Sequence, residues 1–383
     1  MRDYVKLLRE LREGGNKESQ PDDKILIVDS LNSFIRVFSA VPVVNDDGDH
    51  VGGITGFLKS IAFVVRSVQP TRLILVFDGK GGSLKRRDLY ADYKAGRKIQ
   101  TKFNRFDHAN TDTEQEIKNM RNQLSRLSTY LETLPITILS IDNVEADDVI
   151  AYLTTDVFHD SKQVVIMSDD KDYLQLVDNR VSVWRPVVKT TYTPEVVLEK
   201  LKVPAHNYLL LKLFIGDNSD NIKGVDGIGL KTLQKYLPEI MYDKKLTLDE
   251  VIQLCQERAE STKNKFYQSV LDSESTLRLN YQLMQLENVD IAGSIKATIR
   301  QIASEQEIPP LNKFTFKKPL GFDRRWRTFK VIKTVDTEPE TIKVNGSKGS
   351  VYNLTRADGG WRCSCPGFTY RGNCKHLELA PKV

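Results

Sequence analysis

The stretch KILIVDS, residues 24–30, is an apolar run that ends in an acidic residue. Three further stretches have the same character, namely RLILVFDG (72–79), ITILSID (136–142) and QVVIMSDD (163–170). Helix-like sequence such as ITGFLKSIAFVVRSV and ADDVIAYLTTDVF separates them. Wholly apolar strands that alternate with helices predict an α/β domain with a mostly parallel sheet and helices on both faces.

Acidic residues follow these apolar runs, in the motifs ILIVDS, VFDG, EADD, SDDKD and GDNSD. Because ligands bind at the carboxyl ends of parallel strands, we expect the acidic side chains to converge. Several carboxylates in one cleft cannot all stay ionised without positive charge, and Mg²⁺ or Mn²⁺ would supply it through oxygen ligands. The candidate metal ligands are Asp29, Asp78, Glu145, Asp147, Asp148, Asp170, Asp172, Asp217 and Asp220.

Each acidic motif also has a structural interpretation. A single Asp after a strand is often a helix cap or a turn residue. EADD alone could be a solvated first helical turn, where the helix dipole favours acidic residues. The five motifs together favour the metal site.

The bulk composition limits the other possibilities. The 383 residues predict two or three domains, and the net charge of +5 is only mildly basic. No stretch has transmembrane length and the first 23 residues are too charged for a secretion signal, so we expect a cytoplasmic protein without a membrane partner. Three of the four cysteines crowd near the end of the sequence, which favours metal binding over disulfides.

A basic segment with interleaved aromatic residues interrupts the strand–helix rhythm at about 84–135. Its cationic residues are opposed by Asp88 and Asp92 and interleaved with Tyr90, Tyr93 and Phe103. A solvated basic loop is the favoured interpretation for Lys98, Lys102 and Arg105 taken one by one. The cationic residues are Lys85, Arg86, Arg87, Lys94, Arg97, Lys98, Lys102 and Arg105.

Five blocks occur in one order along the chain: ILIVDS, VFDG followed by RRDLYADYKAGR, EADDVIA, SDDKDYLQLV and GDNSDNIKGVDGIGLKT. Together they resemble the 5′ nucleases of the flap endonuclease class over roughly residues 24–305. That class includes the 5′-nuclease domain of bacterial DNA polymerase I, the phage 5′–3′ exonucleases and T-even phage ribonuclease H. The resemblance implies a PIN-like, Rossmann-like fold and phosphodiester hydrolysis with two Mg²⁺ or Mn²⁺ ions, which make a water nucleophilic and stabilise the leaving oxygen.

The resemblance also implies how the carboxylates divide between the two ions. Asp29, Asp78, Glu145 and Asp147 would hold the first ion, and Asp170, Asp172, Asp217 and Asp220 the second, with Asp148 in or between them. Spacing alone does not make that division. On a helix Glu145 and Asp148 share a face while Asp147 points elsewhere. We therefore expect EADD at a strand-to-helix bend. The resemblance also implies that Asp78, Asp147 and Asp170 are central to catalysis.

In the resembling family the basic segment forms an arch or clamp through which a single-stranded 5′ end passes. Lys94 and Arg97 match basic residues that face the scissile phosphate, where they can stabilise developing charge. Tyr93 matches a position that can stack on a base. Arg86 and Arg87 are candidate contacts to the nucleic-acid backbone.

A glycine-rich turn, GVDGIG (224–229), joins two helix-like stretches. Gly227 and Gly229 would let a phosphate approach the backbone amides, and Lys231 and Thr232 begin the next helix, a ready anion site. The resemblance implies a helix–three-turn–helix element that grips duplex DNA, with a K⁺ ion at the turn. Because phosphate contacts carry no sequence information, cleavage should depend on DNA structure.

The end of the sequence carries three cysteines and a histidine, the donor number of a closed tetrahedral zinc site. The order C-x-C…C-x-H over about 325–380 resembles the SWIM zinc finger, a small ββα unit whose hairpin would be VYNLTRADGGW. The basic and aromatic residues before it favour nucleic acid as its ligand, and protein docking, for example to replication proteins, remains open. The zinc ligands are Cys363, Cys365, Cys374 and His376.

These inferences give a domain plan and a function. We expect a monomeric, structure-selective 5′–3′ exonuclease or flap endonuclease that removes RNA primers or 5′ flaps from duplex DNA in replication or repair. A catalytically silent DNA-binding protein and a PIN-like RNA-directed nuclease are the alternatives. The planned segments are an N-terminal arm at 1–23, a catalytic domain at 24–204, a helix–three-turn–helix subdomain at 205–308, a basic linker at 309–324 and a zinc-binding domain at 325–383.

Overall fold

The computed structural model describes residues 22–45, 49–95, 113–304, 341–345, 350–357, 360–366, 368 and 374–379. Within these residues, six strands form a sheet in the order β3-β2-β1-β4-β5-β6, in which β6 is antiparallel to β5 and the other neighbours are parallel. The predicted α/β class with a mostly parallel sheet is confirmed. The strands are β1 (Lys24–Asp29), β2 (Arg72–Asp78), β3 (Thr137–Ile141), β4 (Gln163–Met167), β5 (Val181–Arg185) and β6 (Thr190–Tyr192).

Strand β1 lies at the centre of the sheet because its side chains can be buried on both faces. Residues Ile25, Leu26, Ile27 and Val28 are fully buried. β1 pairs with β2 on one side and with β4 on the other. The acidic residues that follow these strands therefore leave the sheet at the same edge.

Helices connect the strands and continue the chain beyond β6. The π-helical turn Leu153–Val157 extends α5, and a 3₁₀ turn at Asp172–Leu176 follows β4. No described helix is long and apolar enough to cross a membrane. The first helices are α1 (Ser30–Ala40), α2 (Gly52–Val68), α3 (Leu84–Leu89), α4 (Thr113–Leu131), α5 (Ala146–Tyr152) and α6 (Pro194–Leu201).

The region after residue 204 is mainly helical, as predicted. Short antiparallel strands β7 (Gly216–Asp217) and β8 (Ile222–Lys223) interrupt it, and 3₁₀ turns occupy Ala205–Asn207 and Pro238–Met241. Its helices are α7 (Tyr208–Ile215), α8 (Leu230–Tyr236), α9 (Leu248–Ser261), α10 (Lys265–Asp272), α11 (Glu274–Met284) and α12 (Gly293–Ser304).

The chain divides into two compact units, the first at 1–31, 68–97 and 135–312, the second at 32–67, 98–134 and 313–383. In the first unit the sheet and the helices after 204 share a hydrophobic core, which includes Ile27 and Val76 as well as Leu233 and Leu277. The planned boundary between 204 and 205 lies within this unit and stays a prediction. The planned N-terminal arm and basic linker lie almost wholly outside the described residues.

In the second unit a glutamine fixes the start of α2. The Gln123 side chain accepts a hydrogen bond from the Ile54 amide at 3.1 Å and donates one to the His50 carbonyl at 2.7 Å. A Cβ on Gly53 would lie 2.8 Å from both Gln123 Oε1 and the Phe34 ring. A side chain at this position would force Gln123 or Phe34 to shift.

The C-terminal part of the second unit has, among the described residues, three antiparallel strands in the order β11-β10-β9. β10 (Val351–Ala357) and β11 (Gly360–Cys363) are the predicted hairpin, and a 3₁₀ turn covers Lys375–Leu379. The predicted ββα unit did not include the strand β9 (Thr341–Asn345). Val344 is the one buried residue of this strand. A strand with one core residue leaves too weak an alternating pattern to be recognised in a sequence.

A carboxylate-rich candidate active site

The candidate carboxylates lie where the central strands of the sheet end. Asp29 closes β1 and is only 3% exposed. Asp78 closes β2, and its Oδ1 accepts a hydrogen bond of 3.0 Å from the Ala146 amide at the start of α5. Glu145 has an extended backbone, with φ −72° and ψ 149°, immediately before α5, and Asp147 lies in the first turn. EADD therefore spans a strand-to-helix bend, as predicted.

Two neutral hydroxyl groups tie carboxylates from different elements together. Ser168 Oγ donates to Asp29 Oδ2 at 2.9 Å and accepts from the Asp170 amide at 3.0 Å. The fully buried Tyr173 hydroxyl donates to Asp147 Oδ1 at 2.6 Å and lies 3.5 Å from Asp29 Oδ2. The two hydroxyls hold Asp29, Asp147 and Asp170 in one neighbourhood.

Two cations of the basic segment reach into the same cluster. Arg86 donates to both oxygens of Asp148, at 2.7 and 2.8 Å, and to Glu145 Oε2. Lys94 donates to the other oxygen of Glu145 at 2.6 Å. Burial alone would raise the pKa of Glu145, but Lys94 and Arg86 hold that pKa below its usual value.

A third cation, Lys212 on α7, lies between two further carboxylates. Its Nζ is 2.5 Å from Asp172 Oδ1 and also contacts Asp217 Oδ2. Burial acts to raise the pKa of Asp217, but hydrogen bonds from Lys212 and Ser219 lower it. Sequence reasoning missed Lys212, although a single lysine inside the apolar helix YLLLKLFI was an available signal.

Four carboxylates form no ion pair with a Lys or Arg of the described residues. Burial, followed by the charges of Asp147 and Asp78, raises the pKa of Asp29 well above its usual value. Burial and the neighbouring Asp172 and Asp147 raise the pKa of Asp170 to about 7. In both cases burial is the largest cause, and the neighbouring carboxylates add to it. The four are Asp29, Asp78, Asp147 and Asp170.

The GDNSDN loop holds the basic segment through the main chain. The Lys94 amide donates to the Asp220 carbonyl at 3.0 Å, and Asn221 Nδ2 donates to the carbonyls of Asp92 and Ala95 at 3.2 and 2.6 Å. Lys94 adopts a left-handed backbone conformation, with φ 52°, and its Nζ lies 4.0 Å from Asp220 Oδ2. Lys94 is therefore fixed at the carboxylate cluster, and its predicted place facing the scissile phosphate stays a prediction.

The structure corrects two of the predicted nucleic-acid contacts. Tyr93 is only 3% exposed and donates its hydroxyl hydrogen bond to Glu145 at 3.1 Å, so its ring is not available to stack on a base. The Arg86 side chain is 12% exposed and points into the cluster, so it is not free to contact a phosphate backbone. Arg86 can be buried because Glu145 and Asp148 offset its charge, and Tyr93 because Glu145 accepts its hydroxyl hydrogen bond. Arg87 is exposed, and Arg97 lies outside the described residues.

The glycine turn lies between β8 and α8. Gly227 has φ 74°, which favours glycine, and a Cβ at Gly227 or Gly229 would meet no atom within 4 Å. Lys231 is exposed and Thr232 half-buried in the first turn of α8. The buried Asn280 side chain supports the turn from below by donating to the carbonyls of Leu213 and Lys223 at 2.9 and 2.8 Å.

The fold and the order of these motifs agree with comparisons against known proteins. A family model described as 5′-3′ exonuclease, N-terminal resolvase-like domain, matches residues 24–202. Residues 24–202 belong to the 5′–3′ exonuclease family. The exonuclease-family domain contains seven of the nine candidate carboxylates, and Asp217 and Asp220 follow it.

The relatives of the chain differ in length. It is 28% identical over 308 residues to a 5′–3′ exonuclease of Bacillus subtilis, covering 77% of this chain and 94% of that protein. It is 31% identical over 219 residues to DNA polymerase I of Bacillus caldotenax, covering 56% of this chain but only 23% of the polymerase. A solved bacteriophage T5 flap endonuclease shares its fold, with a TM-score of 0.55, 22% identity, and coverage of 78% of this chain and 97% of that one.

The C-terminal part of the second unit, called the C-terminal unit below, brings the predicted zinc ligands together. Their donor atoms all lie within 4.8 Å of one another, and no other group of three or more such side chains in the described residues is as tight. His376 Nδ1 lies 3.7 Å from Cys363 Sγ, while the buried His376 Nε2 has no hydrogen-bond partner. Burial and the neighbouring thiols raise the pKa of Cys363 to about 12. The group comprises Cys363, Cys365, Cys374 and His376.

Proposed function

We propose that the chain is a divalent-metal-dependent, structure-selective 5′–3′ nuclease that hydrolyses phosphodiesters in duplex DNA with a free 5′ strand. The observation that carries the proposal is the set of four carboxylates without a cationic partner among the described residues. They lie at the strand ends beside carboxylates that Arg86, Lys94 and Lys212 already hold. The donor set fits hard cations, which prefer oxygen ligands.

The charge of the cluster supports the same conclusion. Nine candidate carboxylates face three cations within the described residues, which leaves an excess of six negative charges if all are ionised. Two divalent ions would reduce that excess to two. Burial and the neighbouring carboxylates raise the pKa values of Asp29 and Asp170, and bound cations would lower them again.

Each group has a part in the proposed hydrolysis. Two bound Mg²⁺ or Mn²⁺ ions would supply an activated water and stabilise the leaving oxygen. Asp29, Asp78, Asp147 and Asp170 would hold them, while Tyr173 and Ser168 orient these carboxylates. Lys94 supplies a cation fixed at the same place, suited to a negatively charged phosphate. Arg97 is proposed for the same role.

The glycine turn supports duplex DNA as the substrate. Open space at Gly227 and Gly229 lets a phosphate approach the backbone, and Lys231 and Thr232 lie at the start of the helix that follows. A K⁺ ion at this turn belongs to the same proposal. The T5 flap endonuclease complex contains DNA and metal ions, which also supports it. On this basis the released strand is a 5′ flap or an RNA primer.

For the C-terminal unit we propose a structural zinc site. Three thiols and an imidazole provide the four ligands of a closed tetrahedral site, and the buried His376 Nε2 has no hydrogen-bond partner that would compete with a metal ion. A bound cation would stabilise the thiolate forms of these thiols, which are crowded together in a buried cluster. The unit would stabilise a nucleic-acid or protein contact rather than take part in hydrolysis.

The decisive experiment separates cleavage from binding. Wild type and the variants Asp147→Asn and Asp170→Asn are incubated in Mg²⁺ with 5′-labelled flap, nicked and RNA-primed duplexes, and DNA affinity is measured in Ca²⁺. We expect wild type to cleave near the 5′ junction, both variants to lose at least about a thousandfold in rate, and their DNA affinity to persist. Asp160→Asn, on an exposed carboxylate, is the control. Undiminished cleavage by both variants, or no cleavage by wild type, contradicts the proposal.

A further inference from the structure

Asp148 differs from the other candidate carboxylates in how its oxygens are used. Arg86 Nη2 donates to Asp148 Oδ1 at 2.7 Å, and Arg86 Nη1 donates to Asp148 Oδ2 at 2.8 Å. This bidentate geometry is the strongest common pairing of a guanidinium with a carboxylate. Asp147, the preceding residue in the same helical turn, instead accepts a neutral hydrogen bond from Tyr173.

Four of the five N–H groups of Arg86 have acceptors. Its Nη1 also donates to Glu145, and its Nε donates to the Leu283 carbonyl at 2.9 Å, at the end of α11. The side chains of Arg86 and Asp148 are only 12% and 18% exposed. A divalent ion that took Asp148 as a ligand would leave a buried guanidinium short of its partner, which is strongly unfavourable.

We propose that Asp148 is the counter-ion of Arg86 rather than a metal ligand, and that Arg86 is a positioning residue that fastens α3 to the metal-binding turn of α5. This inference rests on the proposed function and refines it, because it divides the EADD carboxylates into an ion-binding residue, Asp147, and a tethering residue, Asp148. Because Arg86 lies on α3, its pairing with Asp148 fixes the beginning of the basic segment. The second contact of Arg86, to Glu145, fixes that carboxylate as well.

The test uses full-length protein and Mn²⁺ titrations followed by calorimetry, so its readout does not depend on activity. Asp147→Asn and Asp148→Asn are matched, because they make the same chemical change at adjacent positions of one helical turn. Since metal ligands and their immediate supports differ in their effect on affinity, we expect Asp147→Asn to weaken Mn²⁺ binding at least tenfold and Asp148→Asn by less than about threefold. Equal losses in the two variants overturn the inference.

The tether is tested by rescue in thermal unfolding with a chelator present. Asp148→Asn and Arg86→Met should each lower Tm by about 5 °C or more, because each leaves a buried partner unpaired. The double variant should unfold at a higher temperature than the Asp148→Asn single variant, since it removes both charges. Arg86→Lys, which keeps the charge without the bidentate fork, should recover part of the loss, and Arg87→Met serves as the exposed control.

The outcomes also separate this inference from the proposed function. Additive losses of Tm in the double variant would show that the two residues are not partners. That result would contradict the tethering role of Arg86 without affecting the proposed nuclease function. Unchanged Mn²⁺ binding in both asparagine variants, together with undiminished cleavage, contradicts the metal site itself. Loss of Mn²⁺ binding in Asp147→Asn alone supports both.

Discussion

The Tyr173 hydroxyl donates a hydrogen bond of 2.6 Å to the Asp147 carboxylate, and so joins the 3₁₀ turn after β4 to the first turn of α5. Burial, and then the charges of Asp147 and Asp29, raise the pKa of Tyr173, so the phenol remains a donor at any physiological pH. A neutral donor can hold a carboxylate in place without competing for its charge. That is the requirement for a site that must still attract cations.

Replacing Tyr173 with phenylalanine should weaken metal binding without removing a ligand. Because the Asp147 carboxylate loses its hydrogen-bond donor, we expect Tyr173→Phe to lower Mn²⁺ affinity by about tenfold, as typical for groups that support metal ligands. Calorimetric titration measures it. Tyr242→Phe removes an exposed hydroxyl of the same kind and should leave the affinity unchanged. Equal affinity in both variants would show that Tyr173 has only a packing role.

Lys212→Met should destabilise the metal-free protein more than its metal-bound form. The change leaves Asp172 and Asp217 facing each other with no cation, and we expect it to cost about 2–4 kcal/mol in unfolding free energy with a chelator present. Mg²⁺ should restore part of the loss. Lys162→Met breaks an exposed ion pair with Asp23 and should cost less than about 1 kcal/mol. Urea denaturation compares the two, and similar costs would contradict a structural role for Lys212.

The raised pKa of Asp170 predicts how stability depends on pH in the absence of metal. A carboxyl with a pKa of about 7 when folded favours the folded state while it is protonated. That contribution is complete below the unfolded pKa of about 3.9 and is lost as the pH rises through about 7. Metal affinity should rise over the same upper range, because binding requires the ionised carboxylate.

Asp170→Asn tests this pH dependence, because asparagine cannot ionise. Relative to wild type in chelator, the variant should gain about 1–3 kcal/mol of stability between pH 5 and pH 8. Unfolding curves at both pH values measure the difference. A constant difference between variant and wild type across this range would show that the Asp170 carboxyl is already ionised at pH 5.

The cysteine group predicts a stoichiometric zinc ion. Protein purified without chelators should contain one zinc per chain by elemental analysis, and Cys365→Ser should lose most of it because the site loses one of its ligands. Cys255→Ser changes a cysteine buried in the core of the other unit and should keep its zinc. Loss of zinc in both variants, or in neither, would contradict the assignment of the four ligands.

The parts of this protein that could be predicted from sequence are those that depend on local order along the chain. Asp29 and Asp78 follow apolar strands, and a parallel sheet necessarily gathers its strand ends. The predicted bend at EADD required only the geometry of a helical turn. Both expectations follow from periodicity, which the sequence displays directly.

The missed features depend on contacts between distant residues. Arg86 and Asp148 are 62 positions apart, and nothing in a basic run shows which of its members turns inward. Tyr93 was expected to stack on a base for the same reason, since a tyrosine beside lysines looks exposed until the buried Glu145 partner is known. Tyr173 resembled an ordinary core aromatic residue. Its role comes from one hydroxyl group and two neighbours on other elements.

The main-chain bonds between the basic segment and the GDNSDN loop affect how this protein can vary. The Lys94 amide and the Asp92 and Ala95 carbonyls are present whichever side chains the segment carries, so the anchorage does not depend on Lys94 itself. Substitutions there can change charge or length while these contacts to the GDNSDN loop stay in place. Natural or engineered substitutions in the basic segment could thus adjust substrate preference without loss of the contacts that anchor the segment.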